Sequence, residues 1–219
     1  MSMAEPPRRR SGRPADRAKH DAILDAAAQA FFEHGYAGAS IEGIAAAAGV
    51  SKVTVYNHFA DKSALFTAAV ERECSAVRSL LLLQEDGGSI RTRLISFGHA
   101  VHAFLGQPKI VRFDRRIAAE AERDPELGRM FLDAGPRRML GALADLLRRG
   151  VASGELEVED AQLAAELLVG MMKGVADLER RFGGEVEPSV LVARVEAAVD
   201  LFLCGFGTTE LRPGRATAE

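Results

Sequence analysis

Residues 40–66 read SIEGIAAAAGVSKVTVYNHFADKSALF. The run predicts two short helices joined by a tight turn, with a third helix starting behind them. Ser40 is placed to cap the first helix, because its hydroxyl can accept a backbone N–H from a turn whose four donors lack intrahelical partners. Ile41, Ile44, Ala45 and Ala48 recur at helical spacing, and their small size lets another helix approach closely. Gly49 falls just past the helix end, where a left-handed backbone costs glycine little. Val50 plugs the turn, and Ser51 caps the next helix, Lys52 to His58. On that helix Val55 points inward with Phe59, four residues on, leaving Lys52, Val53, Tyr56 and Asn57 on the other face. A cation, a small apolar group, a phenol and an amide suit a DNA major groove. The amide can pair with a base edge, the valine can touch a thymine methyl, and the lysine and tyrosine can meet bases or phosphates. Asp61 caps the following helix, which starts at Lys62, itself within reach of the same duplex.

The charge distribution agrees with that reading. The net charge is only -3, yet from Glu5 to His20 six basic residues (Arg8, Arg9, Arg10, Arg13, Arg17 and Lys19) face two acidic ones, Glu5 and Asp16. A basic segment thus adjoins the proposed reading unit while the rest of the chain is acidic. Residues 1–16 carry proline, glycine and arginine with little apolar surface to bury, and read as a disordered basic arm. Within it Arg13 is a candidate for a narrow minor groove.

The segment GVSKVTVYNHFADKSALF, with the preceding helix carrying Ile23, Ala27, Phe31 and Gly35, resembles the helix-turn-helix of the TetR family of bacterial transcriptional regulators. The likeness spans residues 17–68. It implies an all-α fold: a three-helix DNA-binding head over 17–68 and a larger helical body over 69–206, nine or ten helices in all. Residues 207–219, past the last helix, read as a frayed tail. It implies a homodimer that reads a palindromic operator and releases it when the body binds a small effector. Lys52, Val53, Thr54, Tyr56 and Asn57 are then expected at the groove, and Ser40, His58 and Lys62 at phosphates.

Period and punctuation predict helices throughout the body. Asp124-Pro125 starts one helix, and Gly135-Pro136 separates two others, since proline inside a helix loses a bond and clashes with the turn before it. The last two helices, about 160–182 and 188–206, have apolar stripes wider than one neighbour needs. Leu163, Leu167, Met171, Gly174 and Leu178 form one, and Leu168, Met172 and Val175 widen it. These faces predict a partner surface, and the resemblance implies that the partner is a second copy. The helix from Lys62 to about Leu83 joins head and body, so a shift at one end can move the other. The resemblance also implies a cavity among the middle helices. Phe97, Val101, His102, Phe113, Met130, Met139, Met171 and Met172 are the candidates to line it, with methionine letting it adapt to its contents.

Other chemistry finds no support. There is no phosphate loop, dinucleotide fingerprint or serine elbow, so no enzyme and no cofactor are expected. Cys74 and Cys204 match no metal or redox spacing. His99 and His102 stand three apart on one helix, but no further ligands complete a metal set. No apolar run approaches a bilayer span, which points to the cytoplasm. One alternative stays open: a dimeric DNA-binding regulator without small-molecule sensing, controlled by a protein partner or by abundance, or acting as an activator.

Overall fold

The computed structural model describes residues 12–83 and 88–208. These form ten helices: α1 (Gly12–Gly38), α2 (Ile41–Ala47), α3 (Lys52–His58), α4 (Lys62–Leu83), α5 (Ile90–Leu105), α6 (Pro108–Ala121), α7 (Pro125–Ala134), α8 (Pro136–Ala152), α9 (Ala161–Arg181) and α10 (Pro188–Phe206). The all-α expectation holds. The chain divides into two compact units between Ala69 and Val70, inside α4.

In the first unit α1 supplies the floor. Ile23, Ala27 and Phe31 are buried with Ile41 and Ile44 of α2, Val55 of α3, and Leu65 and Phe66 of α4. Phe31 and Phe66 meet edge to face at 5.2 Å between ring centroids. Burying each ring contributes about 1.5–3 kcal/mol. Tyr36 closes the same corner, its ring 5.1 Å from that of Phe66 and its hydroxyl 2.8 Å from Ser63 Oγ. The chain can turn there because Gly35 adopts φ 76°, which breaks α1.

The start of α1 differs from expectation. It begins at Gly12 rather than near Arg17, so residues 12–16 belong to the helix and not to an arm. Pro14 is compatible with this because a first-turn N–H has no helical acceptor to lose. Residues 1–11, with Arg8, Arg9 and Arg10, lie outside the described part.

The second unit packs α5 against α10 and α9, α8 against α9, and α6 against α7. Its main core gathers Phe97 and Val101 of α5, Leu143 and Leu147 of α8, Leu168 and Met172 of α9, and Val195, Val199 and Phe202 of α10. Close approach of α5 to α10 depends on Gly98, where a Cβ would stand 2.6 Å from Val195 Cγ1. Local signals set the boundaries as expected. Asp124 accepts from the N–H groups of Glu126 and Leu127, and Asp160 from those of Gln162 and Leu163. Gly135 separates α7 from α8.

Two findings correct the sequence reading. Gly207 and Thr208 are not frayed: Gly207 bridges Leu156, the Glu157 N–H donates to Phe206 O at 2.7 Å, and the Thr208 N–H donates to Glu155 O at 3.2 Å. The backbone groups beyond α10 thus find partners in the α8–α9 connection, and only residues 209–219 of the expected tail lie outside the described part. Second, α9 is kinked at Gly174, with φ 47° and ψ -151°. The buried row nevertheless runs on through Leu168, Met172 and Ala176, and Val175, 58 % exposed, falls on the outer face with Leu167, Met171 and Leu178. Among the described residues no helix is long and apolar enough to cross a membrane.

Candidate nucleic-acid interface

The geometry of α2, the turn and α3 is set by their ends. The Ser40 hydroxyl accepts the Gly43 N–H at 3.1 Å. At the other end of α2, Gly49 has φ 67°, its N–H donates to Ala46 O, and the Val50 N–H donates to Ala45 O at 3.0 Å. This paired closure satisfies carbonyls that the helix would otherwise leave open and turns the chain sharply. Ser51 then caps α3 by accepting the Thr54 N–H at 3.1 Å. A seven-residue helix is marginal alone, so Val55 and Phe59, both buried, hold it against its neighbours.

What remains outward is the expected face. Val53 is 68 % exposed, an unusual state for a valine, whereas Val55 is 1 % exposed two residues on. Lys52, Tyr56 and Asn57 are exposed too, and Thr54 is half-buried. The Thr54 hydroxyl lies 2.8 Å from Ser51 Oγ. Lys52 Nζ sits 5.9 Å from the centroid of the Tyr56 ring.

Not every candidate points freely outward. Lys52 Nζ donates to Glu42 Oε1 of α2 at 2.5 Å. That bond holds the Glu42 carboxyl below the usual carboxylate range and raises the lysine above its ordinary value. Glu42 is a residue that sequence reasoning missed, since a contact across a turn obeys no helical period. Lys62 places Nζ 4.6 Å from the centre of the Tyr36 ring, a cation-π arrangement at the start of α4. His58 keeps only 12 % of its side chain exposed and directs Nε2 to Asp16 Oδ1 of α1 at 3.4 Å. Its ring also stands 5.8 Å from that of His20, which stacks on Phe59 at 5.1 Å. The first turns of α1, where Arg13 resides, therefore adjoin the end of α3.

The candidates for a ligand cavity separate. Phe97, Val101 and Met172 are buried in the main core, with Met139 packed on it. Phe113 is buried on α6 and meets Phe131 of α7 at 5.8 Å. Met130 is half-buried on α7, and Met171 is exposed on α9 although its neighbour Met172 is buried. His102 is buried, with both ring nitrogens engaged: Nε2 lies 3.0 Å from Met172 O and Nδ1 lies 2.7 Å from Arg180 Nη2. A guanidinium only donates, so Nδ1 accepts and Nε2 carries the hydrogen, giving a neutral imidazole. Burial, and then the charges of Arg180, Arg194 and His99, lower its proton affinity despite the bond to Met172. An open groove of about 370 Å³ does occur at the α8–α9 connection, lined by Arg148, Val151, Val158, Glu159, Asp160 and Ala161. None of the named candidates lines it. Among the described residues no three His, Cys, Asp or Glu side chains gather to hold a metal ion.

Comparison with known proteins agrees with this geometry. A TetR-family regulator from Mesorhizobium loti MAFF303099 has a TM-score of 0.74 at 32 % identity, covering 88 % of this chain and 98 % of its own. The Flavonoid-responsive Regulator FrrA gives 0.70 at 31 %, covering 87 % and 98 %. The uncharacterized HTH-type transcriptional regulator YdeS of Bacillus subtilis is 29 % identical over 171 residues, 73 % of this chain and 78 % of its own length. Residues 92–208 match the family described as AefR-like transcriptional repressor, C-terminal domain. Residues 23–69, which contain the capped turn and the outward face of α3, match the bacterial regulatory proteins of the tetR family. With both units matched in this way, the chain belongs to the TetR family of DNA-binding transcriptional regulators.

Proposed function

We propose that the chain is a cytoplasmic homodimeric repressor that reads a palindromic operator and leaves it on binding a small apolar or amphipathic effector. The observation that carries the DNA half is the outward face of α3, where Val53 is exposed beside Lys52, Tyr56 and Asn57 while Val55 anchors the helix from behind. Asn57 reads a base edge, Val53 meets a thymine methyl, and Lys52, Thr54 and Tyr56 contact bases or nearby phosphates. Ser40, His58 and Lys62 bind phosphates at the flanks, and Arg13 approaches the adjacent minor groove from the start of α1.

Dimerisation uses α9 and α10. Leu163, Leu167 and Leu178 are each about half exposed on α9, and Leu201 is 65 % exposed on α10. Such a row on a lone chain supports a face that a second copy covers. Two heads on a two-fold axis then place their recognition helices roughly 34–36 Å apart, or a multiple of that.

The flavonoid response named for FrrA supports an effector for this body. To move occupancy from 99:1 to 1:99, an effector must favour the released form by about 5.5 kcal/mol summed over its sites. One observation favours a second reading, a dimeric regulator without small-molecule sensing: Phe97, Val101 and Met172 are packed into the core.

Selection of bound DNA from a random pool, followed by a salt titration and a compound screen on the winning sequence, tests the proposal. A palindrome bound by a dimer and released by a compound is the expected result. Sequence-independent binding would overturn the operator reading. Operator binding that no compound alters would assign the body to the second reading.

A further inference from the structure

The kink in α9 is held by three cationic or polar side chains from three places. His102 of α5 donates from Nε2 to Met172 O, a carbonyl just before the break. Arg180, past the break, donates to His102 Nδ1, to His102 O at 3.4 Å and to Ala176 O at 3.3 Å. Arg194 of α10 reaches across so that its Nη1 occupies the place where a Cβ on Gly174 would stand. The guanidinium fills the notch that only glycine leaves open.

The acceptors of Arg180 are all uncharged. Arg194 Nε is buried and has no acceptor among the described residues. Arg93 differs: its Nε is also unmatched, but another of its nitrogens donates to Glu155 at 2.8 Å. Among the described residues neither Arg180 nor Arg194 forms an ion pair with a carboxylate, although such pairs recur elsewhere on the body, as at Lys109–Glu73, Arg138–Glu71 and Arg181–Asp114. Arg194 is half-buried, and its Nε–H, shut from water without an acceptor, is costly; an incoming anion removes that cost. Gly174 itself is exposed, so the notch opens to solvent.

We infer that Arg194, with Arg180 and His102 behind it, is the receptor for a carboxylate group on the amphipathic effector. This rests on the effector reading above and names the chemistry of its polar end. Arg194 offers Nε and Nη donors in the fork that matches a carboxylate. Because the notch is at the break in a proposed dimer helix, filling it acts on the geometry of the subunit contact.

The test uses the full chain without DNA, with acetate as the minimal carboxylate and acetamide as its neutral counterpart, at constant ionic strength. Arginine Nε–H resonances are followed, and that of Arg194 is assigned as the one missing from whichever of Arg194→Lys and Arg194→Gln folds, so that one folded variant suffices. The expected result is a saturable shift of that resonance with acetate, with half-saturation on the order of 1–10 mM, and none with acetamide. A shift that is absent, unsaturable or equal for acetamide overturns the inference. So does a resonance unresponsive to acetate in a dimer that Arg194→Gln dissociates, because Arg194 then pairs with the partner subunit. Since no operator is present, either result is independent of whether any compound releases DNA.

Discussion

Glu155 caps a helix that begins 65 residues earlier: its Oε1 accepts the Ile90 N–H at 3.0 Å. The other oxygen receives Arg93 Nη2 at 2.8 Å and Ser153 Oγ at 2.9 Å. One carboxylate thereby ties the start of α5 to the α8–α9 connection. Burial by itself raises its pKa, but the bonds from Ser153 and Ile90 and the charge of Arg93 outweigh that and hold the group below the ordinary carboxylate range. A depressed carboxyl stabilises the fold above its unfolded value, and the contribution disappears as pH falls through the lower folded value. Glu155→Gln is therefore expected to lose about 1–2 kcal/mol at pH 7, as for removal of a helix cap, with a smaller difference from wild type below pH 4. Urea unfolding at both pH values checks this; a difference that does not shrink in acid would refute the role of the ionised group.

Glu42 competes for a lysine on the reading face. Its removal as Glu42→Gln leaves Lys52 its full charge, so binding should tighten on all sequences and the salt slope should steepen by about one. Fluorescence anisotropy at several salt concentrations measures both. An unchanged slope would show that Lys52 meets no phosphate.

Asn57 and Lys62 should fail differently. Asn57→Ala is expected to cost about 1–3 kcal/mol on the operator and little on random DNA, because a lost bidentate base contact is sequence-specific. Lys62→Ala should weaken both alike and flatten the salt slope by about one. Equal losses on both DNAs for Asn57→Ala would remove it from base readout.

Gly174→Ala puts a methyl where Arg194 Nη1 lies and asks an L-residue to hold a backbone reserved for glycine. Loss of roughly 1–3 kcal/mol is expected in urea unfolding. An increase in stability would mean that α9 prefers to run straight once glycine is gone.

Cys74 has a thiol pushed up to about 11, chiefly by burial and then by Glu73. In a Cys204→Ser background its alkylation by iodoacetamide at pH 8 should run on the order of 100-fold slower than that of a free thiol. A rate equal to the free thiol's would place Cys74 in open contact with solvent.

Much of this molecule was legible in its residues because helix ends are local events. Ser40, Gly49, Ser51, Asp61 and Asp124 act on neighbours within three or four positions, and each does what its spacing predicts. The outward set on α3 was equally legible, since steps of about 100° per residue turn Val53 and Tyr56 away from the inward Val55. Contacts made across the fold left no such trace. Gly174 sits in an unbroken helical pattern, and its conformation depends on His102 and Arg194, far away in the chain. The Lys52–Glu42 pair, the Asp16–His58 contact and the pairing of Gly207 with Leu156 belong to the same class.

That last pairing limits how α10 can move. With Gly207 and Thr208 stitched to residues 155–157, and Glu155 fastened in turn to α5, the far end of α10 is a pivot pin rather than a free terminus. Sliding along its axis would tear both backbone hydrogen bonds of that bridge at once, whereas swinging about the pin tears neither. Any rearrangement of α10 in response to a bound molecule should therefore grow with distance from Gly207, small at Phe202 and largest towards Pro188. A chain cut after Phe206 would lose the pin and, with it, the directionality of that swing.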